Sequence, residues 1–300
     1  MKRLFLLISC MSVLLTGCSK SVSSSSEDTE TSEDSIVAAA TERLFPTRVC
    51  DIPLPDGFAR VKIEDSTSFG AFLRSLPIAP EGTEVLTYKG ERAWTTDVCY
   101  GVIAAYGPSN EDLQQCADAI IRLRAEWLYQ NKRYDEIAFH FTNGWLCEYK
   151  RWADGERVRV EGNKASWYKA YDKADYSYGT FEQYLREVFR YAGTLSLEKE
   201  LERIHMTEIQ AGDVFIKGGS PGHAIIVVDV AEDVEAHDGD KCFIVAESYM
   251  PAQDIHILKN VHDRAGVMGP WYRMYDVIRT GYDYDFGSYS FSFKDMKRFK

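Results

Sequence analysis

The chain has 300 residues, 45% of them hydrophobic and 27% charged, with a formal charge of −11. That is enough apolar material for one large domain or two small ones, and the acidic balance argues against nucleic acid as a partner. The seven cysteines form no CxxC pair and no His-rich tract occurs, so neither a zinc site nor any other cofactor is expected.

Lys2 and Arg3 precede an apolar run from Leu4 to Leu15 that is too short to span a bilayer, and Leu14-Leu15-Thr16-Gly17-Cys18 closes it. This pattern resembles the signal of bacterial lipoproteins. The resemblance implies cleavage before Cys18, lipidation of Cys18 as a membrane anchor and a place in the bacterial cell envelope; Ser19 at the next position points to the outer membrane. The expected organisation is a signal peptide at 1–17, a lipid-anchored tether at 18–49 and a single domain at 50–300. Ser19 to Ser35 is almost entirely Ser, Thr, Glu and Asp, which cannot repay the entropy of ordering. Ile36 to Leu44 reads as a short helix, and Pro46, Pro53 and Pro55 mark an irregular approach to the domain.

Within the domain, Phe58 to Ile63 alternates like a strand, Phe69 to Leu76 reads as a short helix stopped by Pro77, and Glu84 to Tyr88 reads as a further strand. Leu113, Cys116, Ala117, Ile120, Ile121, Trp127 and Leu128 follow a helical period, with Glu111 and Asp112 placed in the first turn. Ile137 to Thr142 reads as a strand ended by Asn143-Gly144. The polar, aromatic stretch to Ser177 resists assignment beyond loops and short elements, and its Trp145, Trp152, Trp167, Tyr168, Tyr171 and Tyr176 suit packing more than a ligand groove. Phe181 to Tyr191 and Leu197 to Ile204 read as helices, the second capped by Ser196. Strands follow at Asp213 to Ile216, Ala224 to Val230, Cys242 to Ala246 and Ile255 to Leu258, and Tyr289 to Phe293 alternates in the same way.

Five cysteines fall in the folded part: Cys50, Cys99, Cys116, Cys147 and Cys242. They cannot all pair internally, so at least one is a free thiol or bridges to another molecule. Cys116 on a helix, His223 opening a strand after a Gly-rich turn, and Glu247 ending the next strand stand in the order that nucleophilic thiol chemistry requires. A thiol near a helix N-terminus needs an imidazole beside it and a third group to orient that ring.

Gly212-Asp213-Val214-Phe215-Ile216, Gly222-His223-Ala224-Ile225-Ile226-Val227-Val228 and Phe243-Ile244-Val245-Ala246-Glu247-Ser248 resemble the β-core of the cysteine, histidine-dependent amidohydrolase/peptidases. Gln115-Cys116 resembles their helix start. The resemblance implies an α+β fold with a papain-like core, its Cys-bearing helix packed on a mainly antiparallel sheet, plus additional helices. It also implies Cys116 as nucleophile, His223 as base, Glu247 as the group orienting His223, and Gln115 as an oxyanion donor. The implied substrates are peptide amide bonds, with peptidoglycan or another envelope peptide as partner. Ser68-Phe69-Gly70, Asp112 to Ala119 and Ser248-Tyr249-Met250-Pro251-Ala252-Gln253 further resemble an uncharacterised family of bacterial lipoproteins, which implies one domain and no particular activity.

Two features pull the other way. Carboxylates at Glu111 and Asp112, one turn before Cys116, oppose a thiolate, and a helix starting at Asn110 would put Cys116 in its second turn. Cys116 alone fits an inert core thiol equally well, His223 a structural ring at a sheet edge, and Glu247 a solvated strand end. The alternative is therefore a non-catalytic lipoprotein of the same fold that binds envelope peptide, glycan or a protein partner.

Overall fold

A computed structural model describes residues 45–236 and 238–300. The signal segment, Cys18, most of the tether and the short helix expected at 36–44 lie outside the described residues. Leu44–Lys300 forms one compact unit. It begins a few residues before the expected boundary at Cys50, because Val49 is fully buried and Arg48 bridges to Pro77.

The fold is α+β: among the described residues six helices surround a nine-stranded sheet whose pairings are all antiparallel. From one edge the strands run Cys99–Val102, His256–Leu258, Lys241–Glu247, His223–Asp233, Val214–Lys217, Met296–Arg298 and Glu202–Arg203. Phe58–Arg60 adds to the far end of the His223–Asp233 strand, and Tyr272–Arg273 to the start of Lys241–Glu247. The two longest strands are rich in Ile and Val, as suits strands buried on both faces.

Alternation along these strands divides the core into two layers. Val214, Ile216, Ala224, Ile226, Ile244 and Ala246 face one layer, where Ile120 and Leu123 of the helix Cys116–Gln130 pack on them. Phe215, Ile225, Val227, Phe243 and Val245 face the other, against Val277, Phe286 and Phe291. Truncating Phe215 or Phe243 to Ala would cost about 3–5 kcal/mol, since each is fully buried.

Several elements differ from the sequence expectation. Glu84 to Tyr88 forms only isolated bridges, Leu86 to Arg92 and Thr87 to Gln253, instead of a strand. The helix expected from Leu197 is Thr194–Glu200, followed by the short strand Glu202–Arg203. Gly193 occupies its cap, and Ser196 sits inside the helix, its Oγ accepting from Gly193 N at 3.1 Å. The stretch read as loops and short elements holds the helix Tyr149–Ala153 and the hairpin Glu156–Glu161 with Lys164–Lys169. There Trp152 is buried, Trp145 lies 5.0 Å from Trp167 ring to ring, and Arg157 covers Tyr171. All five cysteines of the domain are free thiols.

Candidate functional site

The helix carrying Cys116 starts later than its apolar period suggests. Gln115 has extended backbone, φ −89° and ψ −163°, and is the N-cap; its N–H donates to Asp118 Oδ2 at 3.2 Å. Cys116 is thus the first helical residue, where the backbone N–H has no acceptor within the helix and the dipole is positive. The acids thought to crowd it are outside the helix and engaged elsewhere. Glu111 pairs with Arg186, while Asp112 Oδ1 accepts from Ala252 N at 2.7 Å and from Gln115 Nε2 at 3.0 Å.

His223 is the first residue of its strand, directly across the turn from Lys217. Gly222 before it is required by close approach: a Cβ there would lie 2.5 Å from Gly219 O and 2.6 Å from Thr194 Oγ1. Glu247 is the last residue of the neighbouring strand. By alternation both belong to the face opposite the cysteine helix, and the three side chains meet at the end of the sheet. The Cys116 thiol lies close enough to the His223 ring to favour its protonated form. His223 Nε2 lies 2.6 Å from Glu247 Oε2, which leaves Nδ1 as the nitrogen for sulfur. Ser288 Oγ donates to the same carboxylate oxygen at 2.7 Å.

Electrostatics follow from this geometry. Burial disfavours the charged form of His223, yet its contacts with Cys116 and Glu247 outweigh burial and raise it to about 9. Burial likewise works against ionised Glu247, but the hydrogen bond with His223 and the imidazole of His256 beside it hold its carboxyl down at about 2. The ring is therefore an imidazolium and its partner a carboxylate through the neutral range. Tyr249 and Tyr289 flank the imidazole, with ring centroids 4.7 and 5.2 Å away. From Tyr249 the aromatic wall continues to the half-exposed Trp94, 5.2 Å distant.

Of the residues singled out in the sequence, Cys116, His223 and Glu247 come together. Gln115 adjoins them, but its side-chain amide donates to Asp112, and the N–H of Cys116 is the donor already set at the helix start. Cys18 lies outside the described residues. Sequence reasoning missed His256, Ser288, Tyr249 and Tyr289; His256 comes opposite Glu247 only through the strand register, which no local sequence signal carries. Among the described residues no group of three or more His, Cys, Asp or Glu is arranged to hold a metal ion, and no helix is long and apolar enough to cross a membrane.

No curated protein and no solved structure matches the chain. A family model does match, over residues 50–298, and the protein therefore belongs to that family, described as a domain of unknown function (4846).

Proposed function

We propose that the protein is a cysteine amidohydrolase or endopeptidase with a papain-like core, a lipoprotein of the bacterial cell envelope that cuts peptide amide bonds, with peptidoglycan peptides as substrate. The observation that carries the reading is the chain of contacts from the Cys116 thiol at a helix start to His223 and on to buried Glu247. An imidazolium beside a sulfur stabilises negative charge on that sulfur. The sulfur attacks the amide carbonyl carbon, and the N–H of Cys116 faces the developing oxyanion. His223 passes its proton to the leaving nitrogen as the C–N bond breaks, leaving a thioester on Cys116. Water then attacks the thioester carbon, gives its proton to His223, and the C–S bond breaks to release the acid and restore the site. Glu247 holds the ring through both steps.

Cys116→Ala should abolish release of peptides from purified muropeptides, a loss of about 10³-fold or more, while the melting temperature stays within a few degrees. Unchanged turnover removes Cys116 from the chemistry. The anchoring half of the reading rests on the lipoprotein-like start of the chain, and Cys18→Ala should lose incorporation of labelled palmitate in a bacterial host.

One observation favours a second reading, a binding protein of the same fold. Cys116 keeps only 9% of its surface and the Gln115 amide is committed to Asp112. Iodoacetamide separates the two: a working nucleophile is alkylated far faster than Cys147 and Cys242, whose thiols burial pushes up. Equal sluggishness at all three positions supports binding without turnover.

A further inference from the structure

Glu247 has two oxygens and two imidazoles. Oε2 is taken by His223 and Ser288. Oε1 lies 3.4 Å from His256 Nε2, a charge-pair distance, and neither of these two atoms makes a hydrogen bond among the described residues. Both side chains are sealed from solvent. Cross-strand pairing sets His256 directly opposite Glu247, so the juxtaposition is built into the sheet register.

The other nitrogen of His256 settles which protons the ring needs. Nδ1 lies 3.1 Å from Asp254 O, a carbonyl that can only accept. A neutral ring donating there would turn the lone pair of Nε2 toward a carboxylate lone pair in a fully buried place, where an unmade bond is costly. A ring with both protons satisfies both acceptors. The remaining neighbours allow that charge. Asp254 lies close by; burial raises its carboxyl, while the backbone N–H of Leu86 and then His256 work against that rise. The strand Cys99–Val102 sets Val102 opposite His256 and brings the Cys99 thiol, pushed by burial to about 12 and so uncharged.

We infer that His256 is a positioning residue that grips the second oxygen of Glu247 as an imidazolium, so that one buried carboxylate serves two histidines. The two rings then compete for the same negative charge. A proton on His256 weakens the hold of Glu247 on the proton of His223, and its absence tightens that hold. His256 thereby sets the pH range over which His223 can give up its proton. That consequence for turnover rests on the hydrolase reading, whereas the proton sharing does not.

NMR of the full chain carrying ring-labelled histidine tests the inference. In the wild type at about pH 6, both ring nitrogens of His256 should carry protons; a single protonated nitrogen overturns the inference and needs no variant. His256→Gln, which keeps an N–H donor for Oε1 but no charge, should raise the titration midpoint of His223 by about half a pH unit or more. A midpoint that stays or falls in the folded variant overturns the inference as well. With muropeptide substrate, the alkaline limb of the rate profile should move by the same amount. A wild type without any hydrolysis would sink the hydrolase reading and leave the titrations to decide the role of His256.

Discussion

Two sets of buried carboxylates in this protein meet different cations. At one end of the sheet Glu247 lies between imidazoles. Elsewhere Asp229 is clamped by Arg60 Nε at 2.7 Å and by Arg74, Asp213 by Arg298 at 2.6 Å, and Asp240 by Arg273 at 2.6 Å. A guanidinium keeps its proton at any pH a protein meets and forks onto a carboxylate in a fixed plane, so these aspartates tie segments together and do nothing else. Asp229 binds the edge residue Arg60 and the helix Phe69–Arg74 to the central strand, and Arg74 also donates to Val61 O and Val230 O. An imidazole can release its proton. The same burial therefore makes architecture where arginine is the partner and a proton-handling site where histidine is.

The comparison breaks most visibly at its two central carboxylates. Glu247→Gln should lower muropeptide hydrolysis by about 10³-fold or more while the protein stays folded, because the amide cannot hold an imidazolium. A drop of less than about tenfold would show that Glu247 does not orient His223. Asp229→Ala should act the other way, removing about 3–5 kcal/mol of stability by stranding two guanidinium groups, measured by urea denaturation. The protein that remains folded should keep the His223 titration of the wild type.

A smaller effect lies in the dependence of stability on pH. His223 is raised above its ordinary 6.5, so its contribution is complete below about 6.5 and is lost as pH climbs through about 9. Glu247 is depressed below its ordinary 4.5, so its contribution is complete above that value and fades as pH falls through about 2. Denaturation of the wild type should be hardest between these limits, with an alkaline decline on the order of 2 kcal/mol. In Glu247→Gln the decline through pH 9 should largely vanish. Persistence of the full decline would place its origin outside the His223–Glu247 pair.

How much of this was legible in the sequence depends on range. The long Ile- and Val-rich strands and the order of Cys116, His223 and Glu247 could be read, since period two and a Gly-rich turn are local signals. The start of the cysteine helix could not. The apolar period runs back to Leu113, but Asp112 is drawn away by Ala252 and Gln115, and Asp118 caps from within, so tertiary and capping bonds placed Cys116 first. His256 was invisible for the same reason, because pairing registers are not written in any single strand. The hairpin at 156–169 was not resolved into strands because its apolar face, Val158, Val160, Ala165 and Trp167, is only partly buried, while Arg157 and Arg159 lie over Tyr171 and Tyr168.

Asp118 is a third kind of buried carboxylate and gives the smallest expected effect. It sits two residues after Cys116, its Oδ2 accepts from Gln115 N, and Oδ1 has no hydrogen-bond partner among the described residues. Burial, followed by the neighbouring thiol, pushes its carboxyl well above the ordinary carboxylate range. With no cation partner among the described residues, the fold disfavours its ionised form relative to the unfolded chain, so it draws stability away as pH rises from the ordinary carboxylate value. Asn at 118 keeps the oxygen that caps the helix and removes that ionisation. Asp118→Asn should therefore change stability by less than about 1 kcal/mol near pH 4 and become the more stable chain at neutral pH, read from melting curves at the two conditions. A variant less stable at neutral pH would mean that Asp118 is ionised beside Cys116, and that a cation reaches it there as arginine reaches Asp229.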